Sequence, residues 1–397
     1  MSMALVIQKF GGTSLKTPHH IHLAAEKALL AQQQGHQVIV VTSAMANTTN
    51  QLLDLAHPIT LESTAETDVL LASGEQVSAA LMALCLQKKG IKSRSYLTWQ
   101  LPLITNETPG GALIYDINTQ PLKAFMDQGG IPVIPGFQGL SRLKRLTTLG
   151  RGGSDITALA LAAFFKQQFG LASSELACTI YTDVKGVFSA DPRYVPEAQQ
   201  LSSISFYWMR RMAEKGAKVL HPHALRYAHQ HSIPFDVRSS FESTKGTLVT
   251  AKADLKKTPF LLSFLKDWHP LPKTPQHAAM TKLIERVQHK NPHHVFHHKE
   301  TGTWLIHKDA YCATFTHNAY QPSTFYTALF IQGPGLSPII YKQVLRDLAC
   351  PHTLPMWHKD SPDPLFILFC PEENFSKTLN HVYTILHTLE KKHCQHG

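Results

Sequence analysis

Cysteine is scarce and unpaired in this chain. The six cysteines (Cys85, Cys178, Cys312, Cys350, Cys370 and Cys394) are scattered over 397 residues, and no two form a Cys-x-x-Cys pair. That spacing excludes a zinc ribbon and argues for reduced thiols over a disulfide framework. No run approaches the ~20 apolar residues that a membrane span requires. Val6 and Ile7 already read as strand, so no signal peptide is expected; the chain is read as cytoplasmic, with no membrane partner. A formal net charge of +10 would suit nucleic acid, a membrane surface or small anions. It comes without the lysine and arginine block of an interaction tail and without aromatic side chains interleaved among basic ones. Nucleic acid is therefore not an expected partner, and the excess reads as a modest field favouring polyanionic substrates.

At 397 residues, with 43% hydrophobic side chains, the chain has material for two or three packed domains. Leu5–Phe10 reads as a short apolar strand running into Gly11-Gly12-Thr13-Ser14, and Ile21, Ala24, Ala25, Ala28 and Leu29 mark a helix that Gly35 stops. The buried strand Val38–Val41 follows and ends in the hydroxyl-rich turn from Ser43 to Asn50. Strand, helix, strand at this length is a parallel crossover, and ligands of open parallel sheets bind beyond the carboxyl ends of the strands. Ser73-Gly74-Glu75 reads as a helix start, with Val77, Ala80, Leu81, Leu84 and Cys85 as the apolar face. Further on, a helix is expected from Asn118 to Gln128, a strand over 131–137, and a strongly apolar, buried helix from Asp155 to about Gln168.

That last helix opens from Gly150-Arg151-Gly152-Gly153-Ser154-Asp155. Three glycines in four residues let the backbone come close to a ligand, and the helix presents unpaired amides at the positive end of its dipole. Arg151 adds a fork suited to a carboxylate or phosphate, and Ser154 and Asp155 stand where caps belong. Lys9 precedes its glycines, so the order is not that of a Walker loop, yet amides and a cation beside a moving phosphoryl group meet the same need. Read alone, Lys9 is also compatible with a solvated strand end. Glu75 suits either a helix start or an ammonium group. Thr182, Asp183 and Gly186 after the strand at Thr179–Tyr181 suit a purine and ribose, and Arg193 a phosphate, although Asp191-Pro192-Arg193 is equally a plain turn.

Together Lys9–Ser14, Ser43–Asn50, Ser73–Gln76, Thr147–Asp155, Thr182–Arg193 and Gly216–Pro222 resemble the aspartokinases, of the amino-acid kinase superfamily, over about residues 5–250. The resemblance implies a three-layer α/β/α domain with a mainly parallel central sheet. It also implies transfer of the γ-phosphoryl group of magnesium-bound ATP to the side-chain carboxylate of L-aspartate, the entry to lysine, threonine and methionine synthesis. By motif, Thr49, Glu75, Arg151, Gly152, Gly153 and Ser154 would hold aspartate. Lys9, Phe10, Gly11, Gly12 and Ser43 would surround the phosphate, with Lys218 also on the phosphates and Asp155 keeping the lysine or Mg2+ in place. Thr182, Asp183, Phe188 and Arg193 would complete the nucleotide site, with the metal carried by ATP and not by a protein ligand set. The family usually has glycine where Ala46 and Asn47 stand, and tyrosine at Phe188. A kinase for another carboxylate and a catalytically silent subunit are the alternatives; retention of Lys9 and Asp155 speaks against silence.

Residues 251–397 differ in character. From Lys252 onward lie 15 of the 24 histidines and no phosphate-type turn. A strand ending in Gln332, a helix from about Ile339 to Ala349, strand Leu365–Phe369 and a helix from Asn374 to Glu390 imply α+β units. By position these look like the paired ACT (ferredoxin-like) regulatory domains of aspartokinases, at about 257–325 and 326–397. They would serve homodimerisation and, by resemblance, a lysine or threonine effector. His293 and His297 would share a face if helical, but Asn291-Pro292 and the lack of cysteine or carboxylate partners favour an exposed loop over a metal site.

Overall fold

Strands that are apolar on both faces belong in the middle of a sheet covered on both sides. The computed structural model describes residues 4–60, 62–253, 260–270, 295–298, 303–307, 326–332, 338–348, 354–358 and 365–394. In chain order its first elements are β1 (Leu5–Phe10), α1 (Pro18–Gln33), β2 (Gln37–Thr42), α2 (Thr48–Ala56) and α3 (Ala65–Lys88). Then come β3 (Ser93–Ser95), β4 (Leu103–Thr105), β5 (Ile114–Ile117), α4 (Gln120–Asp127), β6 (Ile131–Pro135), β7 (Gln138–Ser141) and β8 (Leu146–Thr148). They are followed by α5 (Gly153–Phe169), β9 (Leu176–Thr182), β10 (Ser203–Ser205), α6 (Phe206–Glu214), α7 (Pro222–Gln230), β11 (Phe235–Ser239) and β12 (Thr247–Thr250).

Eight strands form the main sheet in the order β10-β12-β11-β9-β1-β2-β6-β3, parallel except at the β11–β12 pair. Helices α1 and α3 cover one face and α5 the other, the three-layer arrangement that the sequence implies. Strand β1 sits between β2 and β9, where the strand order reverses. The turns after β1, β2 and β9 therefore open at one edge of the switch point, where open α/β sheets bind ligands. A smaller sheet, β5-β4-β7-β8, carries the chain into α5.

By contacts the chain divides into two compact units. Met1–Val187, Ser202–Arg210 and Val219–Ala253 form the first; Phe188–Leu201, Arg211–Lys218 and Asp254–Gly397 form the second. A single cut at residue 250 would leave the two short segments in the first. Among the described residues the second unit contains β13 (Leu261–Pro270), β14 (Val295–His298), β15 (Thr303–His307), β16 (Tyr326–Gln332), α8 (Pro338–Leu348), β17 (Leu354–His358), β18 (Leu365–Pro371) and α9 (Phe375–Cys394). Its sheet runs β14-β15-β13-β16-β18-β17 with every pairing antiparallel, so the two expected halves share one sheet. The run β16-α8-β17-β18-α9 gives five of the six elements of the ferredoxin-like pattern, consistent with an ACT-like fold. Leu329, Ile331, Phe366 and Leu368 of the sheet pack with Val344 of α8 and Leu379 and Val382 of α9.

Three local expectations need correction. Helix α3 begins at Ala65, not at Ser73, because Thr64 and Thr67 cap it reciprocally through side chain and backbone. Its buried side is Ala72, Ser78, Ala79, Met82 and Leu86, whereas Val77 and Leu84 are more than half exposed. By length and composition α3 could cross a membrane, although no such run is evident in the bare sequence. Its buried carboxylates, Asp68 and Glu75, and its packing on α1 and β6 identify it as a core helix. The third correction concerns the His-rich stretch: Val295–His298 is a strand paired with β15, neither loop nor helix, while His293 and His294 lie outside the described residues.

Candidate active site

Alternation along β1 aims Lys9 at the α5 face and Gln8 at the α1 face. Lys9 Nζ lies 2.6 Å from Asp155 Oδ1, with each side chain about 10% exposed. Asp155 stands in the first turn of α5, where the helix dipole favours a carboxylate. The cap position itself belongs to Gly152, at φ 77°, with no side-chain cap, so Ser154 and Asp155 sit inside the helix and not at its cap. A Cβ on Gly152 would stand 2.6 Å from the Cβ of His221, the residue that caps α7. Glycine is what lets those two helix starts approach. Burial, His223 and the charge of Arg151 lower the pKa of His221, opposed by Asp155.

The turns after β1 and β2 pack directly on one another. A Cβ on Gly12 would lie 2.9 Å from the Ala44 carbonyl oxygen, the Ser43 N–H donates to Phe10 O at 3.1 Å, and Ser78 Oγ donates to Ser43 O at 2.7 Å. Ser14 Oγ receives the hydroxyl of Ser240 at 2.5 Å, tying the first turn to the segment after β11. Asn47, at φ 69°, starts α2 in the left-handed region that asparagine tolerates, so the departure from glycine there costs little. Thr49 lies in the first turn of α2.

Glu75 is not at a helix start; it sits deep within α3. Gly74 explains how: a Cβ there would meet Ala44 Cβ at 3.0 Å and Thr48 Cγ2 at 3.3 Å, so its absence lets α3 close on the second turn. Glu75 Oε1 then accepts the Ala44 N–H at 3.1 Å, while Oε2 is buried without a hydrogen-bond partner. Burial raises this carboxyl to about 7, against the pull of the Ala44 hydrogen bond and the charge of Lys9. An orphaned, nearly buried acceptor of this kind calls for a cation.

Asp68 is a positioning residue near the Gly150 turn that the sequence reading missed. Its buried carboxylate accepts Gly110 N–H at 2.9 Å, Thr148 N–H at 3.0 Å and Thr148 Oγ1–H at 2.6 Å, and so joins α3 to the strand entering the Gly150 turn. The signal was present as Thr64-x-x-Thr67 with Glu66 and Asp68 in the first turn. Asp68→Ala should cost about 3 kcal/mol, since two backbone donors and a hydroxyl lose a charged partner; a urea midpoint unchanged from the parent chain would refute that.

Arg151 is exposed, close enough to His221 for its charge to be felt there. Thr182 Oγ1 donates to Asp183 Oδ1 at 3.0 Å, at the end of β9 beside β1. Phe188, Arg193 and Lys218 belong to the second unit. Arg193 forks onto Asp191 with contacts of 3.0 and 2.6 Å, and Phe188 packs against that unit's core. Burial raises the Asp191 carboxyl, but Arg193, helped by the charge of Lys218, brings it below its ordinary value. The first unit thus assembles Lys9, Gly11, Gly12, Ser43, Glu75, Ser154 and Asp155 around β1, β2 and the start of α5.

The sequence pattern of the Amino acid kinase family matches residues 4–239. The chain belongs to that family. Among curated family members, aspartokinase 2 of Bacillus subtilis is 44% identical over 256 residues, covering 64% of this chain and 61% of that protein. The aspartokinase of Rickettsia felis is 45% identical over 255 residues, covering 63% and 62%. The chain thus spans about three-fifths of the length of these relatives. Among solved structures, E. coli aspartokinase III in complex with aspartate and ADP superposes with TM-score 0.71 at 23% identity, over 96% of this chain and all of that one. The aspartate kinase of Synechocystis gives 0.57 at 28% identity, over 98% of this chain and 69% of that one. The mainly parallel sheet and the glycine turns are where the sequence placed them; the reversal of strand order at β1, Glu75's depth and the Asp68 tether are new.

Proposed function

We propose that this kinase-family chain transfers the γ-phosphoryl group of ATP to the β-carboxylate of L-aspartate, giving 4-phospho-L-aspartate and ADP. The observation that carries the reading is Glu75. A buried carboxylate with one oxygen on the Ala44 amide and the other unpartnered, under the influence of Lys9, suits the α-ammonium group of an amino acid. Arg151 supplies the complementary fork for a carboxylate, and the two charges together select a free amino acid over acetylated or amine-free acceptors. The relatives named aspartokinase, and a fold neighbour holding aspartate and ADP, support the same acceptor.

The acceptor carboxylate is already ionised at neutral pH, so no general base is needed and the work is positioning and charge neutralisation. Lys9, held by Asp155, offsets charge on the phosphoryl group as it moves between oxygens, and the Gly11–Gly12 turn offers amides without Cβ obstruction. Mg2+ carried by the nucleotide substrate would supply further neutralisation of phosphate charge. Within the first unit, Thr182 and Asp183 at the end of β9 would hold the nucleoside. A cytoplasmic setting, homodimerisation through the second unit and feedback by lysine or threonine belong to the same reading. E. coli aspartokinase III with lysine and aspartate is a further fold neighbour, TM-score 0.70 at 22% identity.

A coupled assay with ATP and aspartate, glutamate, acetylglutamate or carbamate tests the proposal, and repeating it with lysine or threonine tests regulation. Turnover on aspartate is expected; preference for another acceptor, or none, would overturn it. Arg151→Ala should raise the KM for aspartate about a hundredfold with a smaller loss in kcat, as for a lost two-pronged carboxylate contact. An unaltered KM would remove Arg151 from the acceptor site.

A further inference from the structure

A doubly covered parallel sheet should be apolar on both faces. On the α1 side, three adjacent strands of the first unit depart from that rule. Gln8 of β1 is in register with Thr179 of β9, and Thr179 with Asp236 of β11; one step on, Phe10, Tyr181 and Arg238 form the next row. The polar rows border an open cavity of about 530 Å³, walled by α1 and the segment after β11. Its volume is in the range of small-ligand sites.

Two polar atoms on its lining are buried and lack hydrogen-bond partners: the acceptor Gln8 Oε1, on a residue only 3% exposed, and the donor Arg238 Nε. Lys27 and Lys245 add positive charge, Lys27 lying 5.3 Å from the centre of the Tyr181 ring. Both carboxylates of the wall are already matched, Asp236 by Arg238 at 3.0 Å and Glu242 by Lys185 at 2.9 Å. What remains is a cationic wall, one buried N–H donor and one buried acceptor. The acceptor distinguishes this cavity from a simple anion sink, because it demands a donor from the occupant.

We propose that this cavity binds a small organic anion, carboxylated or phosphorylated, that also carries a hydroxyl or amino hydrogen-bond donor. The oxyanion meets Arg238, Lys27 and Lys245, and the donor meets Gln8 Oε1. The site lies on the face of β1 opposite Lys9, and the inference does not rest on aspartate being the kinase acceptor.

Calorimetric titration of the full chain with glycerol 3-phosphate, L-lactate and inorganic phosphate tests it, the first two distinguishing a phosphate from a carboxylate source. Glycerol 3-phosphate or L-lactate should bind at one site, at least about tenfold more tightly than inorganic phosphate. Arg238→Gln and Gln8→Leu should each weaken that binding about tenfold, while Lys9→Ala and Arg151→Ala leave it unchanged. Lys245→Gln, on an exposed segment and so harmless to folding, should weaken it a few-fold and reduce its salt dependence. The proposal is overturned if neither organic anion binds, if inorganic phosphate binds as tightly, or if binding follows Lys9 and Arg151 instead of Arg238 and Lys245.

Discussion

Lys9→Ala is expected to lower turnover about a thousandfold, the loss typical of removing one preorganised charge from where the transition state develops its own. The lysine is held 2.6 Å from Asp155 in a site where each side chain is about 10% exposed, so water cannot replace it cheaply. The substitution also strands Asp155, and leaving one partner of a buried pair costs roughly 3 kcal/mol. Stability and chemistry separate in the double variant. Lys9→Ala with Asp155→Ala should recover most of the lost thermal stability and none of the lost turnover. Recovery of turnover would mean that Lys9 serves only to neutralise the aspartate.

Glu75→Gln should separate stability from function in the opposite direction. Burial raises the Glu75 carboxyl from 4.5 to about 7 in the folded chain. Below about 4.5 the group is neutral folded and unfolded, and adds no penalty. Between there and about 7 the unfolded chain gives up its proton while the folded chain keeps it, so stability falls with rising pH and then levels off. At pH 8 the glutamine variant should therefore be the more stable by roughly 3 kcal/mol, a gap that closes on acidification to about pH 4. It should nonetheless raise the KM for aspartate about a hundredfold, since the amide brings no negative charge to the ammonium. Aspartate binding to the parent chain should release protons near pH 7, seen by calorimetry in buffers of different ionisation heat. Proton-neutral binding, or equal melting temperatures at pH 8, would contradict this account of Glu75.

The parallel sheet and its phosphate-type turns were legible because local composition decides them: apolar strands flanking glycine and hydroxyl clusters. Lys9 and Asp155 are far apart in sequence, and it was the resemblance to the aspartokinases, not strand order, that set Asp155 beside the lysine or the metal; the structure brings it to Lys9. What stayed hidden depended on close packing. Ser73-Gly74 imitates a helix start, and only the approach of Ala44 and Thr48 shows why a glycine interrupts α3. Asp68 looks like a first-turn carboxylate until Thr148 and Gly110 are seen around it. Arg193, legible as a phosphate ligand, is engaged by Asp191, a local pairing that the Asp-Pro-Arg turn itself could have signalled. In the second unit, apolar runs identified the strands at 326–332 and 365–371 but not the others or their merger into one antiparallel sheet, because register between distant strands leaves no mark on either alone.

The hydroxyl contact between Ser14 and Ser240 closes a loop of 226 residues across the first glycine turn. During synthesis the nascent chain must expose nearly the whole first unit before that turn is braced, and the entropy of so long a closure is recovered only when the last strands dock. A ribosome-bound or truncated fragment ending before Ser240 would hold Lys9 and Asp155 but not the brace. In such a fragment the first glycine turn would lack its tie to the segment after β11.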